Sequence, residues 1–248
     1  MKMRFKSYCG RFLDMLSRIV KNGTYPHRVY VYREDSKVMY LSISKSACTS
    51  IKASMLSLGE KSSYMKVHRE IKGATDSQLF NINTADYPDY FKFTFVRNPF
   101  DRLASLYKNK YHTDKKLLGT ELKHLYFDYY LFGFLRKDRG FASFARRVCM
   151  IPDVMSDKHF VSQSFLTKKG NFDFTGRFEN LVEEYEPIRE KYGFGELSVY
   201  NSTHKGNWMD YYDVKTAKRV YKRYKKDIEQ YGYEDEYREL LACLEAKK

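Results

Sequence analysis

The chain has 248 residues, of which 43% are hydrophobic, 17% aromatic and 31% charged. That mix buries a sizeable core and excludes a disordered or collagen-like chain. The 45 Lys and Arg against 31 Asp and Glu give a formal charge of +14, which favours anionic partners: nucleic acid, anionic lipid, nucleotides or acidic polysaccharide.

Near the N-terminus, Phe12, Leu13, Met15, Leu16, Ile19 and Val20 recur at helical spacing, broken by Arg11, Asp14, Arg18 and Lys21. The pattern predicts an amphipathic helix in an extension over 1–27, packed on the domain rather than on a membrane. No apolar run suits a signal peptide or a membrane span. The stretch VYVYREDSKVMYLSI, residues 29–43, reads as two strands joined by a polar turn at 34–37. A helix over 50–58 follows, with Gly59 as its C-cap, and a short strand is expected at 64–67. FKFTFV, residues 91–96, is a short apolar run that fits a buried strand.

Asn98 and Pro99 then supply an N-cap and a first helical residue, with Asp101 in the first turn of a helix over 99–110. Residues 117–150 are helical in pattern and aromatic-rich, with a break near Gly140. NFDFTGRFEN, residues 171–180, holds a short strand, and a helix over 180–192 follows. A charged helix starts at the cap Asp213 and stops at Gly232, its basic run over 218–226 forming a solvated face. Strand–loop–helix units at this spacing predict a single α/β domain with a parallel sheet and helices on both sides. The four cysteines, Cys9, Cys48, Cys149 and Cys243, form no CxxC pair. Reduced thiols are expected rather than a zinc or redox centre.

Two strand-to-helix turns stand out. A helix N-terminus offers unpaired N–H groups and a positive dipole end, so each is a ready anion site. The first, SKSACTS over 44–50, carries Lys45, Thr49 and Ser50; the second, RNPF over 97–100, carries Arg97 and, along its helix, Ser105. A ligand with two separated anionic groups fits such a pair. The first turn departs from the nucleotide-binding pattern GxxxxGK(S/T) and has no glycine, which argues against an ordinary ATPase or kinase. Small side chains at Ser46 and Ala47 are expected to let a helix-like turn present its amides without glycine-only dihedrals.

SKSACTSIK resembles the 5′-phosphosulfate loop of carbohydrate sulfotransferases, in the group that includes chondroitin 4-O-sulfotransferases. FKFTFVRNPFDRLASLYKNKY is similar to their 3′-phosphate motif. SDKHFVSQS resembles the segment that the group builds around Asp-x-His-Trp, with Phe160 where the family tends to have Trp. FDFTGRFENLVEEY, YNSTHKGNWMDYY and VYKRYKKDIEQYGY continue the likeness, which covers roughly 38–233. It implies a P-loop-like parallel sheet of the sulfotransferase fold. It also implies 3′-phosphoadenosine 5′-phosphosulfate (PAPS) as co-substrate with its 3′,5′-bisphosphate (PAP) as product, no metal, and a carbohydrate acceptor, anionic polysaccharide among the candidates.

On that resemblance Lys45 and the turn around it, Ser46, Ala47, Cys48, Thr49 and Ser50, hold the leaving phosphate. Arg97 and Ser105 hold the 3′-phosphate, and Arg177 and Lys205 reach the nucleotide. Related enzymes keep their catalytic base near His68, which makes it the first candidate. His159 is the second, with acceptor positioning as its other role; Glu70 and Asp157 follow. His27, His112 and His124 have no motif support. Basic clusters at Lys108, Lys110, Lys115 and Lys116, at Arg136, Lys137 and Arg139, and at Arg146 and Arg147 are placed to guide an acidic glycan, and Tyr107, Tyr111 and Tyr126 to stack on sugar rings. A cytoplasmic, bacterial enzyme is expected, with a lumenal domain trimmed from a membrane-anchored enzyme as the alternative. A non-catalytic polyanion or nucleic-acid binder and a nucleotide kinase with an aberrant loop are the competing readings.

Overall fold

The computed structural model describes residues 2–26, 28–57, 78–111, 131, 134–135, 140–198 and 206–247. Along the chain its elements are α1 (Lys2–Asn22), β1 (Val29–Arg33), β2 (Val38–Leu41), α2 (Cys48–Met55), β3 (Gln78–Phe80), β4 (Phe91–Val96), α3 (Pro99–Tyr111), α4 (Gly140–Val148), α5 (Gln163–Thr167), β5 (Phe174–Arg177), α6 (Leu181–Lys191), α7 (Val214–Tyr231) and α8 (Glu234–Glu245). Two compact units divide them. One comprises His27–Arg97 and Gln163–Ser202, the other Met1–Pro26, Asn98–Ser162 and Thr203–Lys248. The expected C-cap at Gly59 and strand at 64–67 lie outside the described residues.

The first unit is built on a sheet in the order β3-β1-β2-β4-β5. β1 and β2 form a hairpin over the turn at 34–37, because so short a connection can only reverse the chain. β2, β4 and β5 run parallel, pairing Leu41 with Thr94 and Val96 with Arg177. The parallel α/β sheet read from the sequence is therefore present in these strands, and β1 and β3 add an antiparallel edge.

Strand side chains alternate between faces. Val31, Val38, Tyr40, Phe93 and Phe95 take one face and pack with Ile51 and Met55 of α2, Tyr185 and Ile188 of α6, and Phe194. Tyr40 stacks on Phe93 at 5.0 Å between ring centroids, and Tyr185 meets Phe95 edge-on at 6.0 Å. Gly176 of β5 is glycine because a Cβ there would lie 2.3 Å from the Phe95 ring and 2.7 Å from the Glu184 carboxylate. That carboxylate accepts from the Arg177 N–H at 2.8 Å and so holds the end of β5.

In the second unit, α3 begins as the sequence predicts: the Asn98 side chain accepts from the Phe100 N–H at 2.9 Å. The buried Phe100 ring meets Trp208, Tyr212 and Tyr237 at 6.2, 5.7 and 5.6 Å, and the Tyr212 hydroxyl donates to the Phe100 carbonyl at 2.8 Å. α7 is capped by Asp213, which accepts from Thr216 N–H at 2.6 Å, and ends at left-handed Gly232. Lys218, Lys222, Lys225 and Lys226 are exposed, whereas Arg223 of the same run turns inward. α8 is an addition to the expected elements. Its signals are an acidic first turn and buried Leu240 and Leu244 one turn apart.

α1 buries Met15 and leaves Leu13, Leu16 and Val20 exposed. Among the described residues, no helix is long and apolar enough to cross a membrane.

Burial pushes the Cys149 thiol of this unit up to about 12 and the Tyr212 phenol well above its ordinary range. Each group stays protonated when folded and ionises more readily when unfolded, so its stabilising effect is complete below the unfolded value and is lost as pH rises towards the folded one. The melting temperature should accordingly fall between about pH 9 and pH 12. Thermal melts across that window check it; a constant melting temperature contradicts the burial of these groups.

Candidate functional site

β2, β4 and β5 are parallel, so their carboxyl ends lie along one edge of the sheet. Ligands of open α/β sheets bind outside that edge. Three segments leave it: the turn over 42–47 after β2, Arg97 after β4, and Phe178 after β5. Thr94 reinforces the edge by donating its hydroxyl to the Leu41 carbonyl at 2.9 Å.

The turn after β2 corrects one expectation. Lys45 takes φ 72° and Ala47 φ 55°, both left-handed, so the glycine-type dihedrals are used without a glycine. Left-handed backbone costs an L-residue roughly 1–2 kcal/mol. Ala47 has the smallest side chain that must bear the crowding, and Lys45 is held through its carbonyl, as shown below. Ser46 between them is not left-handed, and its N–H donates to the Ile43 carbonyl at 3.4 Å.

α2 follows with no side-chain cap at Ala47. Its ladder begins with the Ile51 N–H on the Ala47 carbonyl at 3.1 Å. The amides of Cys48, Thr49 and Ser50 therefore precede any possible intrahelical partner. Tyr40 of β2 is fully buried, and that burial raises its phenol well above its ordinary range.

Arg97 is buried. Its guanidinium donates to the Lys45 carbonyl at 2.9 Å and lies 4.0 Å over the Phe178 ring. One cation thus links all three segments of the edge. A second link is Gln163, the first residue of α5. Its Oε1 accepts from the Arg97 N–H at 2.9 Å and from the Ser46 hydroxyl at 3.3 Å, and its Nε2 donates to the Arg97 carbonyl at 2.8 Å. Reading the sequence missed Gln163. Its one signal in the sequence is membership of SDKHFVSQS.

The structure thus brings Lys45, Ser46 and Arg97 together, with Ala47, Cys48, Thr49 and Ser50 continuing into α2. Arg177 ends β5 beside Val96, 4.0 Å from the Glu179 carboxylate. Ser105 lies buried on α3 in the other unit. His68, Glu70 and Lys205 lie outside the described residues, as do His27, His112 and His124.

His159 sits in the second unit, its Nδ1 2.5 Å from the buried Asp157 carboxylate, which also accepts the His159 N–H at 3.0 Å. The segment is braced throughout. Arg102 donates to the Val161 carbonyl at 2.7 Å, Tyr224 to the Phe160 carbonyl at 2.6 Å, and Arg223 to the Ser162 hydroxyl at 2.8 Å and to Asp153 at 2.5 Å. Tyr107 is half-buried and packs edge-on against Phe141 and Tyr211 at 5.3 and 5.9 Å. Arg147 likewise holds the Phe134 carbonyl at 2.8 Å.

The parallel strand edge of this α/β sheet thus carries an uncapped helix start and a buried, clamped arginine. The sulfotransferase family matches residues 28–234, and the chain belongs to it. Over 91 residues the chain is 35% identical to carbohydrate sulfotransferase 11 of Danio rerio, and 33% identical to the proteins of that name from Rattus norvegicus and Mus musculus. Each alignment covers 33% of this chain and 26% of the relative, so the chain spans about a quarter of the length of the curated relatives it matches. No solved structure gives a significant match.

Proposed function

We propose that this protein transfers a sulfuryl group from PAPS to a hydroxyl of a carbohydrate acceptor. The observation that carries the reading is the joined pair of turns, with Lys45, the left-handed turn and the start of α2 tied to Arg97. Family membership and the names of the relatives support the donor and the acceptor class.

In the proposed step the acceptor oxygen forms a bond to sulfur as the bond from sulfur to the bridging phosphate oxygen breaks. The acceptor proton passes to a base, and PAP leaves. Lys45 and the amides of Ala47 to Ser50 meet the charge that grows on the leaving phosphate. Arg97 and Ser105 hold the 3′-phosphate through charge-assisted and hydroxyl hydrogen bonds, and Arg177 and Lys205 add to the nucleotide contacts. His68 is the base by resemblance. His159, its ring oriented by Asp157, positions the acceptor hydroxyl.

Calorimetry with PAP in excess EDTA tests the donor. Binding without metal is expected. No PAP binding, with magnesium-dependent ATP binding in its place, overturns the reading in favour of a nucleotide kinase.

A further inference from the structure

The Gln163 amide is fully buried and bonds to groups from both turns. Its orientation follows from its partners. A backbone N–H can only donate and a backbone carbonyl can only accept, so the Arg97 peptide groups fix which end of the amide is oxygen. The remaining lone pair of Oε1 then receives the Ser46 hydroxyl. The ladder between β2 and β4 ends at Leu41 and Thr94. Beyond it, the Gln163 amide and the Arg97–Lys45 bond both join one turn to the other. Neither is a long-range charge effect; both are short, directional bonds that set a distance.

We infer that Gln163 is a positioning residue that fixes the spacing of the two turns and thereby makes the protein prefer a nucleotide phosphorylated at both the 3′ and the 5′ position over one carrying a single phosphate. The inference rests on the sulfuryl-transfer reading and deepens it. Two anionic groups on one ligand gain from simultaneous engagement only when their binding points are held at a matching distance. Turns free to drift would keep each separate attraction and lose the joint advantage. The amide suits this work because it is neutral. A carboxylate at the same buried point lacks the donor for the Arg97 carbonyl and would repel the ligand's anions.

The test titrates adenosine 3′,5′-bisphosphate, adenosine 5′-phosphate and adenosine 3′-phosphate into the full chain and into Gln163→Met, which keeps the volume and removes all three bonds. The unaltered protein should bind the bisphosphate at least about 100-fold more tightly than either monophosphate. Gln163→Met should shrink that advantage to about tenfold, while each monophosphate changes less than about threefold. Ser46→Ala removes only the hydroxyl link, and it should reduce the advantage by roughly three- to tenfold even where the methionine variant fails to fold.

An advantage retained in both variants overturns the inference, as does an equal loss for all three ligands, which marks a general structural role. Failure of the unaltered protein to bind the bisphosphate instead removes the sulfuryl-transfer reading on which the inference stands.

Discussion

Lys45→Ala should lower the rate of the bound complex by about 10²- to 10³-fold, the loss expected when a group facing transition-state charge is removed. Affinity for PAPS should change by less than about tenfold, because the charge that Lys45 meets appears only as the sulfur–oxygen bond breaks. Affinity for PAP should fall further, since the product already carries that charge. Lys45→Gly separates chemistry from folding. At φ 72° glycine relieves the left-handed strain, so this variant should be at least as stable as the alanine one and equally inactive.

Arg97→Ala should behave differently. In the proposed step its charge meets a phosphate present at every stage, so the substitution should weaken PAPS and PAP alike, and loss of the bond to the Lys45 carbonyl should add a drop in rate. Single-turnover rates with equilibrium binding of both nucleotides distinguish the cases. Equal losses of PAPS and PAP affinity in Lys45→Ala, with an intact rate once substrate is bound, contradict the assignment.

His68→Ala should reduce kcat by about 10²- to 10⁴-fold, the usual worth of a general base, and leave PAP affinity unchanged. His159→Ala should instead raise the acceptor KM by about tenfold, as loss of one well-placed hydrogen bond would, with a smaller effect on kcat. Asp157→Asn should follow His159→Ala in direction, because the carboxylate orients the ring by accepting at Nδ1. Steady-state kinetics with varied acceptor resolves kcat from KM. A large kcat loss confined to His159→Ala would transfer the base role to the Asp157–His159 pair.

Much of this protein is legible in short stretches of its sequence. The hairpin over 29–41, β4 at Phe91–Val96, the Asn98 cap and the run from Asp213 to Gly232 all follow from local rules: side-chain alternation, apolar periodicity and cap chemistry act within a few residues. The two turns were visible for the same reason, since a strand, a cation and a helix start are adjacent in the chain. α8 carries local signals as well, in its acidic first turn and the Leu240–Leu244 spacing.

What only the tertiary structure decided depends on residues far apart in the chain. Gln163 meets Ser46 across 117 positions and Arg97 across 66, and Arg97 meets Lys45 across 52. No periodicity marks a buried amide. Its meaning arises when the parallel register aligns the ends of β2, β4 and β5 and leaves their peptide groups in need of partners. The left-handed Lys45 belongs to the same constraint, since its carbonyl is held by Arg97. Arg223 turns inward from a run of exposed lysines for an equivalent reason. Side-chain type sets what a residue is able to bind, and the surrounding fold selects which partner comes within reach.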